Sequence, residues 1–241
     1  MCGRRKIERE YPELVDWGDM DYELAEKIAK QIPENIVVQF HNNGEPLLYP
    51  RLGDALRLFT KTIRCFDTNG KLLMEKAEEI IDNLETLTIS TFENDPEHLE
   101  QWLTLRQFMQ LKGARKPNVI ARRLGNVPHS YEVLGIHCHA DRVFHSPMGS
   151  FNYQKKVTIP EIGICWEALH HLSIDRQGKV SMCVRFDPKG EGIIGDANAQ
   201  SLAEIWNGDK RKEWLTLHIG GKRQEIPICS RCDYWGIPIS S

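Results

Sequence analysis

The chain has 241 residues, 34 acidic and 31 basic side chains, a formal charge of -3 and 41% hydrophobic residues. That length can bury a sizeable core, as one large domain or a domain with an appendage. The interspersed charges exclude a nucleic-acid footprint, no apolar run approaches the ~20 residues of a membrane helix, and the polar start Met1–Glu10 has no secretory character.

In chain order, Arg4-Arg5-Lys6 reads as a solvated face, and Asp19 or Asp21 can cap a helix with Leu24, Ala25, Ile28 and Ala29 on one apolar stripe. Ile36-Val37-Val38-Gln39-Phe40 is a short β-rich run, followed by the loop Asn43-Gly44-Glu45-Pro46. Leu52, Ala55, Leu56 and Phe59 repeat at helical spacing. Thr62 to Phe66 is the next strand, ended by Asn69-Gly70. Leu73, Ala77, Ile80 and Ile81 predict another amphipathic helix, and Leu87 to Ser90 a strand. Asp95 opens a long helix carrying Leu99, Trp102, Leu105 and Met109, and Asn118 to Ala121 is one more strand. Such alternation with short loops predicts parallel strands joined by crossover helices, an α/β sheet or barrel. From Arg122 to Pro160 the periodicity is lost, which reads as the last elements of the barrel and a linker. Domains are expected at 1–160 and 161–241.

The last third has a different character. Cys165, Gly178 and Cys183 fit a β-hairpin with arms His171 to Ile174 and Lys179 to Met182, turning at Arg176-Gln177-Gly178. Ile194-Gly195-Asp196 and a helical run from Ser201 to Trp206 follow, then Cys229-Ser-Arg-Cys232. Two thiolates two residues apart can grip one metal centre, and two from the hairpin complete a four-sulfur site. An all-sulfur set suits an iron–sulfur cluster or tetrahedral zinc, and spacing does not separate them. An odd count of seven cysteines without an export signal favours reduced thiols and the cytoplasm over a disulfide framework. Cys65 and Cys138 fall outside the pattern, and Cys65 reads as a buried small hydrophobe. His137 and His139 alternate, so on a strand both imidazoles face one side. No carboxylate follows at a diagnostic spacing, so their ordinary roles are preferred to a barrel metal hydrolase. There is no phosphate loop, nucleophile elbow or zinc-protease signature.

In parallel α/β architectures the working residues sit on the loops after the strands. Here these loops carry Gly44-Glu45-Pro46, Thr68-Asn69-Gly70 and Ser90. In this order, and with the four C-terminal cysteines, they resemble the radical S-adenosylmethionine (SAM) enzymes that end in a SPASM-type iron–sulfur domain. The resemblance implies an α/β fold: a partial (βα)6-type parallel barrel lacking its first strand, plus a small cysteine-rich C-terminal domain. It implies that Gly44 and Glu45 contact the SAM amino group, and that Asn69, Ser90 and Arg122 line the SAM pocket. It also implies that Cys165, Cys183, Cys229 and Cys232 hold an auxiliary [4Fe–4S] cluster.

The chain departs from the family at its start. Family members hold the radical-initiating cluster on a Cys-x3-Cys-x2-Cys loop, and SAM bound to it yields a 5′-deoxyadenosyl radical. Here Cys2 stands where the third cysteine belongs, without the other two or the strand before them. The sequence is expected to be either a fragment of a longer product or a degenerate member. In both cases Ile36 to Phe40 is expected to form an open apolar sheet edge. The implied function is radical-based modification of an unidentified peptide or small molecule, served by an electron donor. No catalytic residue is identified, and neither nucleic acid nor a membrane is expected as a partner. A non-catalytic zinc- or iron–sulfur-binding scaffold is the alternative.

Overall fold

The computed structural model describes residues 3–42, 44–93, 95–125, 127, 131–142, 165–184 and 187–232. The elements run α1 (Gly3–Glu10), α2 (Tyr22–Ala29), β1 (Val37–Gln39), α3 (Leu52–Leu58), β2 (Ile63–Thr68), α4 (Ala77–Ile80), β3 (Thr86–Phe92), α5 (His98–Lys112), β4 (Asn118–Leu124) and β5 (Cys138–Arg142). After these come α6 (Trp166–His170), β6 (Ser173–Ile174), β7 (Lys179–Ser181), β8 (Ile193–Asp196), α7 (Leu202–Trp206), α8 (Asp209–Ile219) and α9 (Pro227–Ser230). The expected linker and the boundary near 160 lie outside the described residues.

Strands β1 to β5 form one sheet, all parallel and in sequential order. A parallel sheet whose order never reverses is wound in one direction, so its crossover helices collect on one face. The burial pattern agrees with this. Phe66, Leu87, Ile89, Val119 and Ala121 alternate along β2, β3 and β4 and join Leu56, Leu73, Ile80, Leu105 and Phe108 in one core. The residues between them, among them Cys65, Asp67, Ser90 and Arg122, belong to the opposite face. That face is the polar one. Among the described residues β1 pairs only with β2, and Ile36 and Val37 are 40% and 58% exposed, as expected of an open edge.

Two helices differ from their sequence reading. Leu73, Ala77, Ile80 and Ile81 are all buried as the stripe predicts, but residues 71–76 form turns and only Ala77–Ile80 is helical. Apolar spacing reports burial, and consecutive turns satisfy it as well as a helix does. In α5 the buried residues are Gln101, Leu105, Phe108 and Lys112, whereas Leu99 is 67% exposed. The stripe is rotated because a polar residue occupies a core position.

The chain divides into two compact units, the described residues up to Leu24 with those from Cys165 onward, and Ala25 to the end of β5. In the first, Gln177 Nε2 donates to the Asp16 carboxylate at 2.8 Å and Arg176 pairs with the same residue, which ties the amino-terminal segment to the hairpin turn. Strands β6, β7 and β8 form a separate antiparallel sheet with Ser173 opposite Ser181 and Val180 opposite Gly195. Gly178 makes the turn at φ +83°, a region open to glycine at little cost. Gly195 allows close approach, since a Cβ there would lie 2.7 Å from Ile205 of α7. That helix begins with a capping box, Ser201 Oγ accepting from the Glu204 N–H and Glu204 accepting from the Ser201 N–H at 2.7 Å. Among the described residues no helix is long and apolar enough to cross a membrane.

Candidate functional site

Glu45 lies between the end of β1 and the end of β2, and its carboxylate ties the two loops together. Thr68 Oγ1 donates to Oε1 at 2.6 Å, and the N–H groups of Leu47 and Asn69 donate to Oε1 and Oε2 at 3.1 Å. A carboxylate accepts about four hydrogen bonds, so three from the protein leave capacity for one external donor such as an ammonium group. Beside it Gly44 is exposed, and a Cβ there would meet nothing within 4 Å. Among the described residues no contact calls for glycine at this point. Neighbouring Asn43 lies outside the described residues.

Asn69 closes a turn through Oδ1, which accepts from the Lys71 N–H at 2.9 Å. Ser90 is the direct register partner of Arg122 across β3 and β4, so the two belong to one face and one level of the sheet. The structure therefore brings Glu45 to Asn69 and Ser90 to Arg122. Gln101 links the pairs. Its side-chain amide, on a residue 2% exposed, donates to the Asn69 carbonyl at 2.5 Å and the Ser90 carbonyl at 3.0 Å.

Sequence reasoning missed Gln101, His41 and Asp67. The imidazole Nδ1 of His41 accepts from the Asp67 N–H at 3.1 Å, and its Nε2 lies 3.4 Å from Asp67 Oδ2, the oxygen that also pairs with Arg122. Burial, the largest influence, holds His41 below the ordinary imidazole range. Asp67 acts against it, Arg122 with it, and Glu45 against it. Asp67 carries a signal that was available, as the polar alternate of Phe66 in a strand otherwise covered by helices. Nearby Cys65 is pushed up to about 11, first by burial and then by Asp67, so it stays a protonated thiol.

The second cluster lies in the carboxyl-terminal unit. Cys165, Cys183 and Cys229 pack into one core with Met182, Trp214, Ile226 and Ile228. Burial foremost, then the neighbouring Cys232 and Cys165, push the Cys229 thiol up to about 12. The four cysteines singled out in sequence are thus neighbours. Cys2 lies outside the described residues. Among those residues, no group of three or more His, Cys, Asp or Glu side chains is set to hold a single metal ion, and His137 is exposed.

Two further side chains frame the thiols. Arg223 donates to the carbonyl oxygens of Cys229 and Cys232, pinning the turn between them, with the Cys232 contact at 3.3 Å. His218 is 1% exposed, with Nε2 3.6 Å from Cys229 Sγ. Three thiols in an apolar core, a fourth beside Cys229, and a guanidinium on the carbonyls of their turn have the chemistry of a sulfur-ligated, anionic inorganic group. His218 was not legible, because α8 buries Arg211, Trp214 and His218 instead of an apolar stripe, and Arg223 lies beyond it in a short turn without a motif.

Residues 165–233 match the family described as SPASM, an iron–sulfur cluster-binding domain. No curated protein sequence matches the chain. In fold the chain is similar to the crystal structure of BtrN in complex with AdoMet and 2-DOIA, with TM-score 0.63, 18% identity, and coverage of 90% of this chain and 81% of that one. It is similar also to selenomethionine BtrN in an open conformation, with TM-score 0.55, 16% identity and coverage of 89% and 80%.

Proposed function

From a chain that carries a SPASM domain and shares the fold of BtrN, as the resemblance to the radical SAM/SPASM family implies, we propose a SAM-binding protein of the radical SAM type that modifies a peptide or small molecule. The observation that carries this reading is the convergence of Glu45, Asn69, Ser90 and Arg122 at the carboxyl-terminal ends of neighbouring parallel strands, on the polar face. We read that sheet as the arc of a barrel whose interior is this face. Glu45 offers its remaining acceptor capacity to the SAM amino group, Gly44 leaves room for the ligand beside it, and Asn69 and Ser90 present polar groups to the rest of the molecule. Arg122 supplies a fixed positive charge for a carboxylate.

Cys165, Cys183, Cys229 and Cys232 would hold the auxiliary [4Fe–4S] cluster, which supplies one-electron chemistry when bound. Arg223 offsets part of its charge. The sequence contains no Cys-x3-Cys-x2-Cys run, so no radical-generating step is assigned to these residues. The partners are an electron donor and the substrate. The cytoplasm, where thiols stay reduced, suits the cysteine usage. Equilibrium dialysis against labelled SAM tests the reading: wild-type protein binds it, and Glu45→Gln weakens binding by about tenfold through loss of a charge-assisted contact. Equal binding by the two proteins would refute the role of Glu45.

A further inference from the structure

The guanidinium of Arg122 is engaged along one side only. Nη1 pairs with Asp67. Among the described residues Nε is buried without a hydrogen-bond partner, and no hydrogen bond from Nη2 occurs. Nε and Nη2 share the opposite edge, the side-on fork that takes both oxygens of a carboxylate in parallel hydrogen bonds. Buried donors in folded proteins are almost always paired, so this orphan points to a group from outside the chain. Asp67 is itself held from two directions. Its N–H donates to His41 Nδ1 at 3.1 Å, which places the imidazole proton on Nε2, 3.4 Å from the carboxylate oxygen that Arg122 shares. With both ring nitrogens occupied, His41 has no free lone pair to act as a base.

We infer that Asp67, locked by His41, is a positioning residue that turns the Nε/Nη2 edge of Arg122 toward the ligand and makes the site selective for a carboxylate-bearing molecule. This rests on the proposed SAM-binding role of the same face, where Arg122 stands level with Ser90. Two effects of Asp67 oppose each other. Its negative charge weakens the general pull of Arg122 on anions. Its hydrogen bond fixes a long side chain that otherwise loses considerable rotamer freedom on binding. In a partly covered, bidentate geometry orientation dominates, so removing Asp67 costs affinity despite the gain in net positive charge.

The test compares SAM with decarboxylated SAM, which lacks only the carboxylate, by equilibrium dialysis on the full chain. Wild type is expected to favour SAM by about tenfold or more, the scale of one charge-assisted bidentate contact. Asp67→Leu should abolish that preference. Asp67→Asn, which keeps an acceptor, should restore part of it, and His41→Leu should lose part of it. A wild-type circular dichroism spectrum and a cooperative thermal melt of each variant serve as the control for folding. Full preference in Asp67→Leu, or tighter SAM binding by it, overturns the inference. Wild type that binds both ligands equally overturns it while SAM binding stands. Wild type that binds neither overturns both readings.

Discussion

His218 Nε2 lies 3.6 Å from the sulfur of Cys229, inside a pocket that also contains Cys165 and Cys183. Without metal this is a hostile place for a thiolate, and the Cys229 thiol is pushed up to about 12. Cys138 on β5 is exposed. In metal-free protein at pH 8, iodoacetamide is therefore predicted to label Cys229 more than about tenfold more slowly than Cys138, because the thiolate is the reactive form. Peptide mass spectrometry over a time course reads both rates. Equal labelling would show that the pocket is open.

Gln101→Leu is predicted to lower both stability and SAM affinity. The amide of Gln101 joins the Asn69 loop to the end of β3, and leucine leaves two carbonyl oxygens without a donor. The expected stability loss is about 1–3 kcal/mol. Denaturant titration and dialysis against SAM check it together. Unchanged SAM binding in a destabilised variant would make Gln101 a core residue only.

The other end of the sheet yields a pH prediction. Glu85 accepts from Arg64 Nε and Nη2, both at 2.9 Å, and from the Arg64 N–H at the same distance. Arg64, first among its causes, helps hold the Glu85 carboxyl at about 2, below the ordinary 4.5. A depressed folded pKa means that the contribution is fully present above about 4.5 and is lost as pH falls toward 2. The nominal difference of about 3 kcal/mol is reduced by solvent screening of this partly exposed pair to on the order of 1–2 kcal/mol. Glu85→Gln should destabilise the protein at pH 7 and flatten the acid limb of a stability–pH profile. An unaltered acid limb would refute the assignment.

Gly195→Ala is predicted to destabilise the carboxyl-terminal unit by about 1–3 kcal/mol through overpacking. Its Cβ would approach three carbons of Ile205 within 3 Å. Pairing it with Ile205→Val should recover part of the loss, as thermal melts of the single and double variants can read. Additive losses would contradict the contact.

The sheet was legible because its strands are short apolar runs separated by turn residues, and the parallel pairing follows from the helices between them. β5 was not singled out, since it falls in the stretch from Arg122 to Pro160 where periodicity is lost and which read as the last barrel elements and a linker. The hairpin was legible from Gly178 and the alternating arms, which pair at Ser173 and Ser181. What escaped were elements whose buried faces are polar. Gln101 occupies a core position of α5, and α8 buries Arg211, Trp214 and His218. Periodicity arguments count apolar residues, so a helix that packs through arginine, tryptophan and histidine carries no such signature. His41 and Asp67 escaped for a different reason, although Asp67 stands out as the polar alternate of Phe66. Their significance comes from the register that sets β2 beside β1, and no local motif encodes it.

The most direct test of the account is metal analysis after anaerobic reconstitution with iron and sulfide. Wild type should bind about four irons per chain, brown in colour, and Cys229→Ser together with Cys165→Ser should reduce this to near zero. Colourless protein holding a single zinc, or iron that survives loss of both cysteines, would contradict it.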